Sequence, residues 1–131
     1  MTKINSRITT ELYKIELKSA SDNMVIADEP IAKGGKDLGF SPKELLASAL
    51  AACTSATVRM YADRKEWDLQ EVKIEVDLND AENITTIDRR IEFIGELTQD
   101  QKKRLIAVAN ACPVHKILSR PIEINTTAIE Y

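Results

Sequence analysis

Histidine and cysteine are scarce in this sequence, at one and two residues of 131. The scarcity narrows the chemistry. A base-assisted nucleophile has one candidate imidazole, His115, which after Pro113 reads as a surface or cap residue. A zinc site would have to draw on Cys53, Cys112 and His115, and no C-x-x-C or H-x-x-x-H spacing supports one. Glycine is sparse too. Three of the four sit in Lys33-Gly34-Gly35-Lys36-Asp37-Leu38-Gly39, a loop with no Gly-Lys-Ser/Thr after it, which excludes a phosphate loop. No basic excess exists: 18 Lys and Arg face 21 Asp and Glu, which argues against a nucleic-acid surface. Arg89-Arg90 and Lys102-Lys103-Arg104 lie beside acidic residues and read as solvated faces. Met1 to Arg7 has no apolar core for a signal peptide, and no run approaches the roughly 18–20 apolar residues of a membrane span. Nor is there an internal repeat or linker. The expectation is a single cytoplasmic domain over residues 1–131, without membrane or nucleic-acid partners. In a reducing compartment a permanent disulfide is disfavoured and a transient one is allowed.

What is present is clear periodicity. Ile4, Ser6, Ile8 and Thr10 alternate, followed by Tyr13, Ile15 and Leu17 and the run Met24 to Ala27. Ser21-Asp22-Asn23 marks a turn, and the alternation predicts an antiparallel sheet with one face covered. Ser41, Pro42 and Glu44 form an N-cap, a first helical residue and a capping box for a helix to about Lys65. Leu46, Leu50, Cys53, Thr57 and Met60/Tyr61 would be its buried stripe. Val72 to Leu78 alternates as a strand, with Arg90 to Glu96 as its hairpin partner. Trp67 should pack at the strand start, and Met60 with Tyr61 should fill core. Thr98 and Gln101 cap a second helix, whose Leu105, Ile106, Val108 and Ala109 should face inward until Pro113 breaks it. A short helix follows, then a last strand from Pro121 through Ile122, Ile124 and Ala128. Strands, long helix, hairpin, helix, strand is an α+β order. The Ser41 helix is apolar over much of its circumference in its first half, and a second copy of the chain could cover what one small sheet leaves bare.

Cys53 stands in Ala51-Ala52-Cys53-Thr54 and Cys112 in Ala109-Asn110-Ala111-Cys112-Pro113-Val114. Brought together, they could react, close a disulfide and be reduced again. Kept apart, they are two small core residues. A free thiol of pKa about 8.5 is only about 3% ionised at pH 7, so a reactive one needs help. Cys112 can cap the helix that Pro113 begins; Cys53, in mid-helix, gains nothing from a terminus. The residues alone leave both alternatives open.

The segment Ser41-Pro42-Lys43-Glu44-Leu45-Leu46 running into Ala51-Ala52-Cys53-Thr54, with Cys112-Pro113-Val114 later, resembles the OsmC/Ohr superfamily, nearer the less studied OsmC relatives. The resemblance implies an intertwined homodimer with antiparallel sheets around long central helices. It also implies a thiol peroxidase acting on organic or inorganic hydroperoxides without metal or flavin. Cys53 matches the peroxidatic cysteine and Cys112 the resolving one, and a dithiol, lipoyl-type in one branch, would reduce the disulfide. The family pattern places a Glu ten residues before the nucleophile, paired with an Arg from the N-terminal strands. Here Lys43 holds that position, Glu44 follows one residue later, and Arg7 is the one arginine before Cys53. Glu44 and Arg7 are thus the candidates for the activating pair, with another cation or backbone donors as substitutes. The alternative reading is a homodimeric binding module in which the thiols pack around a small apolar ligand.

Overall fold

The computed structural model describes residues 1–129. In chain order its elements are β1 (Ile4–Ile8), β2 (Ile15–Ser19), β3 (Met24–Ala27), a 3-10 turn (Ile31–Lys33), α1 (Pro42–Lys65), β4 (Asp68–Asp80), β5 (Thr85–Glu96), α2 (Gln99–Ala109) and α3 (Pro113–Leu118). The order is mixed α and β with antiparallel pairing throughout the two sheets. The chain forms two compact units, Met1–Ser48 and Ala49–Tyr131.

In the first unit β1, β2 and β3 make a three-stranded meander. The turn at Ser21 to Asn23 is closed by the Asp22 N–H donating to Ser19 O and the Ser19 N–H to Asn23 O. The expected covered face does not materialise: β1 is exposed along its whole length, and the unit buries just Ala27 and Asp28. Asp28 accepts from the backbone N–H groups of Tyr13, Glu29, Lys36 and Leu38, which pins the glycine loop. At the start of α1, Ser41 N–H donates to Glu44 Oε1 and Glu44 N–H to Ser41 Oγ, a reciprocal cap.

The second unit holds the core. Val58, Ala62, Leu69, Leu105 and Ala109 are buried together, with Tyr61, Trp67, Val72, Ile91 and Phe93 packed against them. Tyr61 and Trp67 meet edge to face at 5.6 Å. The buried stripe of α1 is Leu50, Thr54, Val58 and Ala62, four residues apart and one position later than Cys53 would set it. A one-residue offset turns a helix by about 100°. It leaves Cys53 at the edge of the stripe and Met60 64% exposed rather than in the core. On length and composition alone α1 could cross a membrane, contrary to the reading of its sequence, but this stripe is that of a core helix.

β4 and β5 form a long two-stranded ribbon with a register shift between Leu69 and Glu71. Gly95, opposite Leu69, has φ +145°, and a Cβ there would lie 1.9 Å from Asp68 O, so the irregularity requires glycine. Thr98 caps α2 reciprocally with Gln101. Leu105 and Ala109 face inward as expected, whereas Ile106 is exposed. Residues 121–129 carry no strand. They join neither sheet, so their alternating Ile122 and Ile124 have no ladder to complete and stay exposed.

Leu105 has no exposed surface, so Leu105→Ala should cost about 3 kcal/mol through lost burial plus a cavity. The shift of the urea midpoint measures it, and a loss below about 1 kcal/mol would show the core lies elsewhere.

Candidate active site

The site begins with a proline. Pro113 cannot donate to α2, so the chain leaves the helix after Ala109 and starts α3 with Pro113 as first residue. Cys112 is the N-cap of α3, in extended conformation, and its Sγ accepts from the His115 N–H at 3.3 Å. The next free amide of that turn, Val114 N–H, points at Cys53 Sγ at 3.5 Å. One turn of backbone thus supplies a donor to each sulfur. Cys53, read from sequence as remote from any helix terminus, is served by one belonging to a different helix. Both cysteines are free; Cys112 is fully buried and Cys53 half-buried.

Around the pair lies a polar layer. Thr54 Oγ1 is 3.8 Å from Cys112 Sγ, a contact in which either atom can donate. The same oxygen donates to Leu50 O at 2.7 Å and accepts from Arg89 Nη1 at 2.8 Å. Arg89 Nη2 donates to Asn110 Oδ1 at 2.8 Å and to His115 Nδ1 at 3.0 Å. A guanidinium only donates, so Nδ1 must accept and His115 is neutral with its proton on Nε2. Arg89 therefore meets neutral acceptors, and no carboxylate pairs with it among the described residues. Burial pushes the Cys112 thiol up. The His115 N–H, the Thr54 hydroxyl, the Cys53 thiol and the Arg89 charge outweigh it and bring the thiol below its ordinary value.

The sequence reading missed Arg89, taking Arg89-Arg90 for a solvated face. Only Arg90 fits that description, paired with Glu75 at 2.8 Å and Asp77 at 2.6 Å. Alternation along β5 puts Arg89 in phase with Ile87, Ile91 and Phe93, the half-buried face. A single charge on the apolar side of a strand was the available signal. His115, read as a surface or cap residue, is half-buried against Arg89. The carboxylate of Glu44 is engaged by Ser41, and the guanidinium of Arg7 lies 4.0 Å from Glu16 on the exposed first sheet. Arg89, His115 and Asn110 also line a cleft of about 390 Å³ together with Leu50, Ile106 and Leu118, and neither sulfur lines it. Among the described residues no cluster of three or more His, Cys, Asp or Glu is placed to hold a metal.

Residues 34–127 match the model of the OsmC-like protein family, and the chain belongs to it. Comparison with curated proteins finds no match. Among solved structures, an osmotic-stress-induced detoxification response protein of Psychrobacter arcticus 273-4 is similar at 29% identity. Its TM-score is 0.77, with 89% of this chain and 88% of that one covered. The OsmC-like protein of Mycoplasma pneumoniae shares 22% identity with TM-score 0.78 over 91% of this chain and 87% of its own. A Legionella pneumophila protein named organic hydroperoxide resistance protein OsmC shares 20%, with TM-score 0.68 over 90% and 88%. The fold is therefore that of OsmC and Ohr proteins.

Because the folded protein favours the Cys112 thiolate, it should gain stability over Cys112→Ser as pH rises. The gain begins at the folded-state titration of Cys112 and levels off near the ordinary thiol value of about 8.5. Urea denaturation of both proteins across pH 6–9.5 checks it. A difference that is flat with pH, or shrinks, would contradict the thiolate assignment.

Proposed function

We propose that the protein is a thiol peroxidase that reduces hydroperoxides. The observation that supports it is the pair of free cysteines whose sulfurs accept from adjacent backbone N–H groups of one helical turn. Cys53, the more exposed sulfur, attacks the terminal peroxide oxygen, the O–O bond breaks, and an alcohol leaves. Cys53 becomes a sulfenic acid. Cys112 then displaces its oxygen as hydroxide or water and closes the disulfide. An external dithiol reduces that disulfide by exchange. The cycle needs a reducing compartment, in keeping with a cytoplasmic setting and a role in oxidative stress.

The working form we propose is a homodimer. The first unit leaves Ile4, Ile8, Met24, Val25 and Phe40 about half exposed, and the first half of α1 leaves Leu46 uncovered. A 48-residue sheet unit that buries two side chains cannot offset its ordering entropy alone. A second copy with the same bare faces would cover them. Light scattering at low micromolar concentration should give twice 14.7 kDa, and a stable folded monomer would contradict the dimer.

A second reading, a binding module for a small apolar ligand, draws on the cleft with Leu50, Ile106 and Leu118 on its wall. One titration separates the two. With one equivalent of tert-butyl hydroperoxide the peroxidase loses both thiols to a Cys53–Cys112 disulfide that dithiothreitol reopens. Cys112→Ser instead stops at a dimedone-trappable sulfenic acid on Cys53. Unreacted thiols after minutes, or the sulfenic acid on Cys112 in a Cys53→Ser protein alone, would overturn the assigned roles.

A further inference from the structure

Arg89 has more hydrogens to give than its neighbours take. A guanidinium carries five N–H donors, and among the described residues Arg89 has three acceptors, Thr54 Oγ1, Asn110 Oδ1 and His115 Nδ1. All three bonds leave from Nη1 and Nη2, and none of the acceptors is charged. A cation drawn out of water is normally paired. Asp88, the preceding residue of β5, borders the same cleft as Arg89, yet no ion pair joins the two among the described residues. Neighbours in a strand point to opposite sides, so Asp88 is poorly placed to answer that charge.

The cleft of about 390 Å³ that Arg89 borders falls within the roughly 300–1,000 Å³ of small-molecule sites. Every residue lining it belongs to the second unit. Leu50 from α1, Ile87 and Ile91 from β5, Ile106 from α2 and Leu118 from α3 give it an aliphatic lining with no Phe, Tyr or Trp. Asn110 and His115, two of the three anchors of Arg89, border it as well. The tautomer that Arg89 imposes on His115 leaves a proton on Nε2, a second donor on a residue of the same cleft.

One uncompensated cation among five branched aliphatic side chains is the composition of a site for an anion with an apolar body. A planar guanidinium matches a carboxylate, and a single cation answers a single negative charge better than a phosphate dianion. A lining without aromatic rings offers a flat ligand no stacking partner and suits an alkyl chain. We propose that this cleft binds a medium-chain aliphatic monocarboxylate, its head on Arg89 and its tail along Leu50, Ile106 and Leu118. The inference builds on the cleft of the second reading and gives it a charged ligand. It holds whether or not the thiols turn over, since neither sulfur borders the cleft.

Calorimetric titration of the reduced full-length protein with sodium octanoate, sodium hexanoate and 1-octanol tests it. Octanoate should bind at least about tenfold tighter than 1-octanol, because only the carboxylate engages the guanidinium. Hexanoate should bind about tenfold more weakly than octanoate, at roughly fourfold per buried methylene. Arg89→Met should bring octanoate down to the affinity of octanol, and Arg89→Lys should keep part of the gap. Arg89 also anchors Thr54 and Asn110, so Ile106→Ala supplies an arm that leaves the guanidinium and its anchors in place. It should weaken octanoate and octanol by a similar factor. Octanoate should also shift the Cε1–H signal of His115, the single histidine of the chain, in proton NMR. A gap between octanoate and octanol that survives in Arg89→Met, or a His115 signal unmoved at saturation, would overturn the proposal. Octanol binding as tightly as octanoate would overturn it too, while leaving the apolar-ligand reading of the cleft standing.

Discussion

The site depends on the break that Pro113 makes between α2 and α3. Without that proline, α2 could run on past Ala109, and the amides of residues 114 and 115 would be spent inside a helix. With it, those two N–H groups become the unsatisfied donors of a new first turn. One meets Cys53 and the other Cys112. Sulfur is a weak acceptor as a thiol and a strong one as a thiolate, so both bonds gain when a sulfur ionises. The two cysteines come from helices far apart in sequence, and the same turn of backbone serves both.

Arg89 gives the arrangement its sign. A guanidinium held by three neutral acceptors keeps its full charge for whatever lies nearby, whereas one in a tight carboxylate pair has most of its field cancelled. Neighbouring Arg90 shows the contrast, since Glu75 and Asp77 hold it on the outer face of the hairpin. The neutrality of His115 matters for the same reason. A protonated imidazole could not accept from Arg89, and the cation would lose one of its three anchors.

Much of the fold was legible because local rules and tertiary structure agree. Ser41 with Glu44 and Thr98 with Gln101 form the reciprocal caps their spacing announces, and Pro113 starts α3 with Cys112 as cap. The pairing of Cys53 with Cys112 followed from family resemblance, not from spacing. The misses share a cause. The buried stripe of α1 falls on Leu50, Thr54, Val58 and Ala62, and a helix with apolar residues on several faces does not say which face the core takes. Arg89 was hidden by its neighbour: two adjacent arginines look like one basic patch, yet in a strand they point to opposite sides. The strand expected from Pro121 needs a ladder partner, which alternation cannot supply. The bare faces of the first unit likewise concern surfaces a single chain does not cover.

The central claim is that the turn after Pro113 draws the Cys112 thiol below its ordinary range. Carbon-13 NMR of the two cysteine Cβ atoms, assigned with Cys53→Ser and Cys112→Ser and followed across pH in the fully reduced protein, tests it most directly. The account predicts that the Cys112 resonance completes its titration below the ordinary thiol range near 8.5. A Cys112 resonance that stays in place until pH 8.5 or above would contradict it.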